Sequence, residues 1–269
     1  MKEGKAPRVN ALHRGLQILE LLAAQKRGWS TSDIARKLKI PKSSSSYLLH
    51  TLQLRGYVRR QEDGSYRLSM KTLALGNMAL QGIEVREVAL PILRRLVEET
   101  GITGHVAVLD GSEAVYIERV PSAGFIQMNT WVGRRMPLHS SGAGKALLAY
   151  SPAQAVETLL ENTELQRSTP KTIVSAPRLR QELKRIRECG FSVDNQENTP
   201  GVRCVAAPIF YRSGSLAAAL SVTGPVQHLT EDRLPRIAER VKDAARQITH
   251  ALGGNSQAVA RKRPDEFSS

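Results

Sequence analysis

Residues 30–47, STSDIARKLKIPKSSSSY, decide the fold of the N-terminal third of the chain. Ser30, followed three residues later by Asp33, is a helix-capping pattern that predicts a short helix starting at residue 31. The turn at 39–41 ends in a proline, which is tolerated in the first turn of a helix, so a second motif helix is expected to open at residue 41 and run to about 55. Two helices joined by so short a turn predict a helix-turn-helix.

The flanking patterns extend this motif in both directions. An amphipathic helix over 11–25 precedes it, and two short strands at 57–60 and 65–68 follow it. The strands are joined by a loop containing Asp-Gly, a dipeptide that favours a hairpin turn. Three helices followed by a hairpin are the order of a winged helix-turn-helix, so we predict that residues 9–70 form one.

The rest of the chain has the mixed strand and helix patterns of an α+β domain. After a linker helix at 71–85, strand and helix patterns alternate over 86–252, while 1–8 and 253–269 are predicted to be a flexible N-terminus and a disordered tail. Strands are expected at 105–109, 114–120, 125–128, 191–194, 202–210 and 216–222, and helices at 84–100 (with a kink or restart at Pro91), 140–150, 152–160, 177–189 and 231–252.

The positive charge is concentrated in the predicted helix-turn-helix module. The net charge is +14, and residues 1–80 hold 15 Lys and Arg against 5 Asp and Glu, which is +10 of it. A basic module beside a nearly balanced domain is typical of a polyanion-binding protein. A basic surface that only aids solubility would have the same composition, so charge alone leaves both interpretations open.

The start of the second motif helix is the candidate DNA-reading element, because this part of a helix-turn-helix enters the major groove. Small hydroxyls allow close approach and can bond to phosphates or base edges. The candidate residues are Lys42, Ser43, Ser44, Ser46 and Tyr47 on the helix and Arg59, Arg60 and Arg67 on the wing. A solvated helix start and an ordinary solvated sheet face are the alternative interpretations of the same residues.

Other classes of function lack their signatures. No run approaches the roughly 18 apolar residues of a membrane span, and no secretory signal is evident, so a cytoplasmic protein without a membrane partner is expected. The two cysteines have no metal-site spacing, and no metal or cofactor is predicted. Asp194 and Glu197 are the best carboxylate pair, but no nucleophile or base accompanies them, and His105 and His139 are ordinary structural candidates. We therefore predict that the protein is not an enzyme.

Several stretches, in order and correctly spaced over about residues 9–252, resemble the IclR family of bacterial transcriptional regulators. They are LELL at 19–22, DIARKL at 33–38, IPKSS at 40–44, LQLRGYV at 52–58, DGSYRL at 63–68, MPLHSSGAGKA at 136–146, DNQEN at 194–198, GVRCVAAP at 201–208 and SVTGP at 221–225. Two positions depart from the family pattern, Ser45 for an apolar residue and Tyr47 for a frequent arginine, so the operator sequence cannot be carried over.

The resemblance implies a winged helix-turn-helix, a linker helix and a C-terminal GAF-like α/β effector domain. It also implies a homodimer or homotetramer that binds a duplex DNA operator and responds to a small organic acid, which is aromatic in some members. The protein would then be an effector-gated regulator, a repressor by family habit; an activator, a DNA-tethered enzyme and a constitutive architectural protein are the alternatives.

The same resemblance implies an effector site at the glycine-rich helix start. The polar positions would be Gly142, Ala143, Asp194, Cys204, Ser221 and Thr223, and the apolar wall would be Phe125, Met128, Met136 and Val202. Backbone N–H groups at a helix start suit an anion, whereas Asp194 suits one only if it is protonated or accepts from a ligand hydroxyl. A hydroxy or keto acid is therefore expected. Alternatively, these residues form the core of a domain whose pocket has closed.

Overall fold

The computed structural model describes residues 9–24, 27–80, 83–123, 128–162 and 164–254. Within it the chain divides into two compact units, Met1–Gly82 and Ile83–Ser269. The predicted domain limits, with a DNA-binding module at 9–70 and a linker at 71–85, stay a prediction, since this division only says where contacts are sparse.

The first unit has the element order expected of a winged helix-turn-helix. Its elements are α1 (Asn10–Ala23), α2 (Thr31–Leu38), α3 (Lys42–Leu54), β1 (Val58–Arg60), β2 (Tyr66–Leu68) and α4 (Met70–Leu80). The Ser30 side chain caps α2 by accepting from the Asp33 N–H at 3.1 Å. The turn before α3 passes through Lys39 at φ 53, the left-handed conformation that ends α2. A small core joins the three helices to the hairpin, and its buried residues are Ile18, Leu22, Ile34, Leu49 and Val58.

Ser45 stands where the family has an apolar residue, and its surroundings show how the module accommodates a serine. The side chain is completely buried in α3, and its Oγ lies 3.4 Å from the carbonyl oxygen of Thr31 in α2. A buried hydroxyl with a backbone acceptor avoids most of the penalty for burying an unpaired polar group. The serine therefore links the two motif helices instead of facing the DNA.

Two helices of this unit expose apolar faces. Leu12 and Leu16, which share a face of α1, are 62% and 49% exposed. Helix α4 has no buried residue, and Met70, Leu73 and Met78 are all more than half exposed. Apolar patches of this kind are candidate interaction surfaces.

The second unit is a six-stranded antiparallel sheet with helices on both faces. Its elements are α5 (Glu84–Thr100), β3 (Thr103–Asp110), β4 (Glu113–Val120), β5 (Arg135–Pro137), α6 (Gly142–Ala149), α7 (Ala153–Asn162), α8 (Ala176–Cys189), β6 (Ser192–Asn195), β7 (Val202–Phe210), β8 (Leu216–Pro225) and α9 (Leu234–Ala251). The strand order is β5-β4-β3-β8-β7-β6. Helix α5 continues through Pro91, and the final helix begins at Leu234 instead of the predicted residue 231.

Alternate residues of the strands face different helices. Gly104 packs against Leu93 and Val97 of α5, and a Cβ at Gly142 in α6 would meet Cys204. Since neighbouring residues in a strand point to opposite faces, α5 covers one side of the sheet and α6 the other. The buried core on the α6 side also includes α8.

The strand expected at 125–128 lies outside the described residues except for Met128, which is not in a strand. Strand β5 was not predicted. Its three residues pair with Glu113–Val115 at the edge of the sheet, where a proline is tolerated.

Candidate DNA interface and effector cavity

The N-terminal turns of α3 present the predicted DNA-reading residues to solvent. Lys42, Ser43, Ser46 and Tyr47 are exposed, Tyr47 with 76% of its surface, and Ser44 is half-buried. The helix begins after Pro41 with no side-chain cap, so the N–H groups of its first turn are available to an anion.

The wing carries opposed arginines. Arg59 of β1 pairs directly with Arg67 of β2, and both side chains are exposed, as is that of Arg60. Like charges directly opposite each other in a hairpin are destabilising. A polyanion lying across the pair would relieve this repulsion.

His50 is an exposed residue of α3 that sequence reasoning did not identify. His50 lies three residues after Tyr47 and four after Ser46, on the same face of the helix, and is exposed. Helical spacing alone could have identified it, because residues three and four apart lie on the same helix face.

A row of side chains across β6, β7 and β8 forms the floor of a small cavity. Asp194 pairs in register with Cys204, and Cys204 pairs with Thr223, so the three point to the same face of the sheet. The cavity is lined by Tyr116, Met128, Thr130, Arg134, Met136, Ser141, Gly142, Asp194, Asn198, Thr199, Val202, Cys204 and Thr223. Its volume is about 30 Å³, against the roughly 10–15 Å³ that a cavity needs to hold one water molecule. We call it the effector cavity.

Most of the predicted effector residues meet at this cavity. Its lining includes Met128, Met136, Gly142, Asp194, Val202, Cys204 and Thr223. Ala143 and Ser221 are fully buried beside Cys204, close enough to influence its thiol. The prediction for Phe125 lies outside the described residues.

Sequence reasoning missed six lining residues: Ser141, Asn198 and Thr199, which lie within or beside the family motifs, and Tyr116, Thr130 and Arg134, which precede them in the chain. The Tyr116 ring stacks on His105 with the ring centroids 4.3 Å apart. The Thr130 Oγ1 atom is 2.7 Å from His105 Nε2, and Arg134 brings a half-buried guanidinium to the cavity. Only the tertiary fold brings Tyr116, Thr130 and Arg134 to the glycine-rich helix, so no spacing in the sequence could have signalled them.

The polar groups of the cavity have unusual environments. Burial raises the pKa of Asp194 to about 7, despite the hydrogen bond that its Oδ1 accepts from the Glu197 N–H at 2.7 Å. Burial likewise raises the pKa of the Cys204 thiol to about 11. Ser221 Oγ and Thr223 Oγ1 are buried without a hydrogen bond of standard geometry among the described residues, although both lie close enough to influence Cys204. Unpaired buried hydroxyls cost stability unless a ligand satisfies them.

A buried lysine fixes the turn that delivers Asp194. Lys145 of α6 is 1% exposed, and its Nζ donates to Val193 O at 2.8 Å and to Glu197 Oε1 at 2.5 Å. Glu182 Oε1 of α8 lies 3.6 Å from the same nitrogen. The ammonium therefore links α6 to the residues on both sides of Asp194, Val193 and Glu197. Because this region is buried, a charge there is stable only when it is paired.

Burial also shapes the environments of His105 and His139. Burial lowers the pKa of His105 to about 3 and also lowers that of His139, whose Nε2 lies 3.0 Å from Gln166 O. In the part of the chain that the structure describes, no group of three or more His, Cys, Asp or Glu side chains could hold a metal ion.

The comparisons with known proteins agree with this architecture. The family model for the IclR helix-turn-helix domain matches residues 11–62, and that for the bacterial transcriptional regulator IclR C-terminal domain matches residues 77–250. The chain belongs to the IclR family. It is 37% identical over 249 residues to the HTH-type transcriptional repressor AllR of Klebsiella pneumoniae, with 92% of each chain covered.

Solved IclR structures share the fold. The Thermotoga maritima IclR has a TM-score of 0.76 at 32% identity, covering 91% of this chain and 100% of that one. An IclR homolog from Microbacterium hydrocarbonoxydans, complexed with 4-hydroxybenzoate, has a TM-score of 0.76 at 27% identity, covering 90% and 99% of the two chains.

Membership of the IclR family confirms the predicted fold class, a winged helix-turn-helix followed by an α/β effector domain. It also makes the chain a DNA-binding transcriptional regulator. No helix among the residues described for this IclR-family chain is long and apolar enough to cross a membrane.

Proposed function

We propose that this protein is a repressor whose affinity for operator DNA is set by a small organic acid bound in the effector cavity. The observation that carries the proposal is the convergence of the α6 start, the Arg134 guanidinium and the unpartnered hydroxyl of Thr223 on one buried cavity. The repressor assignment draws on AllR, a transcriptional repressor. Because its partner would be chromosomal operator DNA, we infer that the protein acts in the cytoplasm and without catalysis.

The effector chemistry follows from the charges around the cavity. Arg134 and the N–H groups at the start of α6 favour a carboxylate, and Asp194 favours a neighbouring hydroxyl or a shared proton. A small 2-hydroxy or 2-oxo acid satisfies both demands. The Microbacterium homolog complexed with 4-hydroxybenzoate supports a wider class that includes aromatic acids. Met128 and Met136 would supply a soft wall for such a ring.

A panel of acids tests the proposal directly. Glyoxylate, pyruvate, lactate and 4-hydroxybenzoate are added singly to the full-length protein, and its thermal unfolding and its affinity for the operator are measured. At a hundredfold excess over its Kd, a true effector stabilises the folded protein by about 2.7 kcal/mol, and it should also release the operator. If no member of the panel changes either property, the proposed gating by a small carboxylic acid is wrong.

We expect Lys42→Ala to weaken binding to every duplex, because the lysine at the start of α3 would contact a phosphate. The slope of log affinity against log salt should fall by about 1. Tyr47→Ala and Ser44→Ala should instead change the preferred sequence, measured by selection from a random duplex library. Lys184→Ala, an exposed lysine of the second unit, is the matched control. Full operator affinity in a chain lacking residues 1–70 would contradict this assignment.

We further propose that the protein is a homodimer, or a homotetramer built as a dimer of dimers, paired through the exposed apolar faces of α1 and α4. One winged helix reads too few base pairs to select a single operator, whereas two paired modules read a near-palindrome. Helix α4 offers Leu73 and Met78 for such pairing, and both are more than half exposed.

Introducing a charge into this face should separate the subunits. We expect Met78→Lys to shift the protein toward the monomer in light scattering and to lower operator affinity by about tenfold or more, since each 1.4 kcal/mol of lost pairing energy is a factor of ten. Leu109→Lys, at an exposed leucine of the second unit, is the control and should leave the mass unchanged. A wild-type protein that stays monomeric with and without DNA would refute the dimer.

The pKa of Asp194 predicts a pH dependence of effector binding. An acid such as pyruvate stays ionised above about pH 5, so it binds best when Asp194 is protonated, below the pKa of about 7. The Kd should therefore rise about tenfold between about pH 6 and about pH 8. Calorimetric titration across this range should show a flatter profile for Asp194→Asn. A wild-type Kd that falls with rising pH would contradict the sign of this prediction.

A further inference from the structure

Strand β4 contains an extra residue where it runs between the effector cavity and α5. Ala107 of β3 pairs with Tyr116, and the preceding β3 residue, Val106, pairs with Glu118, so Ile117 is left without a partner in β3. Such a β-bulge interrupts the alternation of a strand and redirects its side chains. Tyr116, Ile117 and Glu118 are accordingly all buried, at three consecutive positions.

On one side of the bulge, β4 holds the wall of the effector cavity. Tyr116 lines the cavity itself. Arg119 donates from Nε to Thr130 Oγ1 at 3.0 Å and from a terminal nitrogen to Met128 O at 3.3 Å. Thr130 and Met128 are both lining residues, so two sections of the wall depend on the position of β4.

On the other side, the bulge is held by one residue of α5. Arg86, in the first turn of that helix, donates from Nε to Ile117 O at 3.2 Å. Its terminal nitrogen lies 3.0 Å from Glu118 Oε2, and the Glu118 side chain is only 10% exposed. The planar guanidinium thus spans the backbone of the bulge and the carboxylate next to it, which a point charge such as a lysine cannot do.

The cavity must enlarge before it can hold any carboxylic acid, because about 30 Å³ is too small for one. Outward movement of Tyr116 and Met128 would shift β4 at the bulge, where the β3–β4 ladder is interrupted. Only residues 81 and 82 separate Ile83, the N-cap of α5, from the end of α4. A shift of the first turn of α5 therefore acts on the segment that leads to the DNA-binding unit.

We propose that Arg86 is the positioning residue that couples occupancy of the effector cavity to operator binding, by linking the Ile117 bulge to the first turn of α5. The inference rests on the proposed function, since it needs an effector in that cavity. Arg86 touches neither the effector nor the DNA in this scheme, so its loss should reduce the coupling between the two ligands and leave each separate affinity nearly intact.

The test compares Arg86→Gln with the wild type and with Arg94→Gln, an exposed arginine of the same helix. Operator affinity of the full-length protein is measured by fluorescence anisotropy, alone and with saturating glyoxylate, pyruvate, lactate or 4-hydroxybenzoate. The affinity for each acid is then measured with and without the operator, because the coupling factor must be the same in both directions. Circular dichroism verifies that each variant folds.

We expect Arg86→Gln to lower the coupling factor about five- to tenfold while each separate Kd stays within about threefold of the wild type. Arg86→Lys and Glu118→Gln each keep one of the two contacts, so their coupling factors should fall by about two- to threefold. They test the inference if Arg86→Gln does not fold. Arg94→Gln should behave as the wild type.

Wild-type coupling in a folded Arg86→Gln variant would overturn the inference and leave the proposed function standing. A loss of effector affinity equal to the loss of coupling would also overturn it, because Arg86 would then only support the cavity. If none of the four acids changes operator affinity in the wild type, the proposed function fails, and this inference fails with it.

Discussion

Replacing Lys145 by methionine should lower the free energy of unfolding by about 3–5 kcal/mol, the usual cost of breaking a buried ion pair by removing one partner. The substitution leaves the Glu197 carboxylate buried and deprives Val193 O of its donor. Methionine fills much of the same volume, so the effect would report lost charge pairing instead of a cavity. Urea unfolding of the full-length chain, followed by far-UV circular dichroism, measures it.

A double variant separates charge pairing from packing. In Lys145→Met/Glu197→Met both charges of the 2.5 Å contact are gone, and replacing a whole buried pair by apolar residues is often neutral. Most of the stability should therefore return. Lys184→Met, at a lysine whose side chain is 73% exposed, is the control and should change stability by less than about 0.5 kcal/mol. A Lys145→Met variant as stable as this control would show that the buried pair contributes nothing.

Gly142→Val should abolish the effector response at concentrations that saturate the wild type. A Cβ at this position would lie 2.6 Å from Cys204 Sγ and 3.3 Å from Cys204 O, so the larger side chain must force α6 away from the floor of the cavity. We expect effector affinity to fall by about a hundredfold, which corresponds to about 2.7 kcal/mol. Operator binding without effector should stay within a few fold, measured by anisotropy. Loss of DNA binding outright would mean that the glycine serves the fold alone.

A milder pair of variants tests the same site without a steric clash. Ser221→Ala and Thr223→Val each remove a buried hydroxyl that has no partner of standard geometry in the described structure, so both should stabilise the free protein slightly while weakening effector binding. Ser140→Ala is the matched control for Thr223→Val, since its hydroxyl is also buried and unpartnered but, unlike that of Thr223, does not line the cavity. Ser140→Ala should change only the free energy of unfolding. A full effector response in Ser221→Ala and Thr223→Val would contradict the proposed effector site.

Local patterns in the sequence predicted much of the fold, because the forces involved act over a few residues. Ser30 caps α2 through the N–H of Asp33, and the Asp-Gly pair at 63–64 turns the hairpin of the wing. Strand β5 was not predicted, because three residues paired at a sheet edge are too few to show an alternating pattern of polar and apolar residues. Its existence depends on β4, which lies more than a dozen residues earlier in the chain.

The candidate site was predictable only in part, for a related reason. The polar floor residues were found through family motifs, whereas Arg134 and Tyr116 reach the cavity only after the sheet has formed. Lys145 gave no signal either. In the sequence it belongs to a glycine-rich helix start, and nothing in that pattern shows that its charge is buried against Glu197. Burial of a charge is a property of the assembled domain.

The pairing of β3 with β8 has a consequence for incomplete chains. Thr103 lies opposite Thr223, so the centre of the sheet cannot close until almost the whole effector domain has left the ribosome. The buried core of the winged helix consists of residues of the first unit, which is synthesised first, at about 5–20 residues per second. A nonsense codon anywhere between residues 110 and 215 would therefore yield a polypeptide that retains α3, the proposed operator-reading helix, but lacks a closed sheet. In a cell carrying both alleles, such fragments would occupy the promoter without answering the inducer, and the phenotype would be dominant.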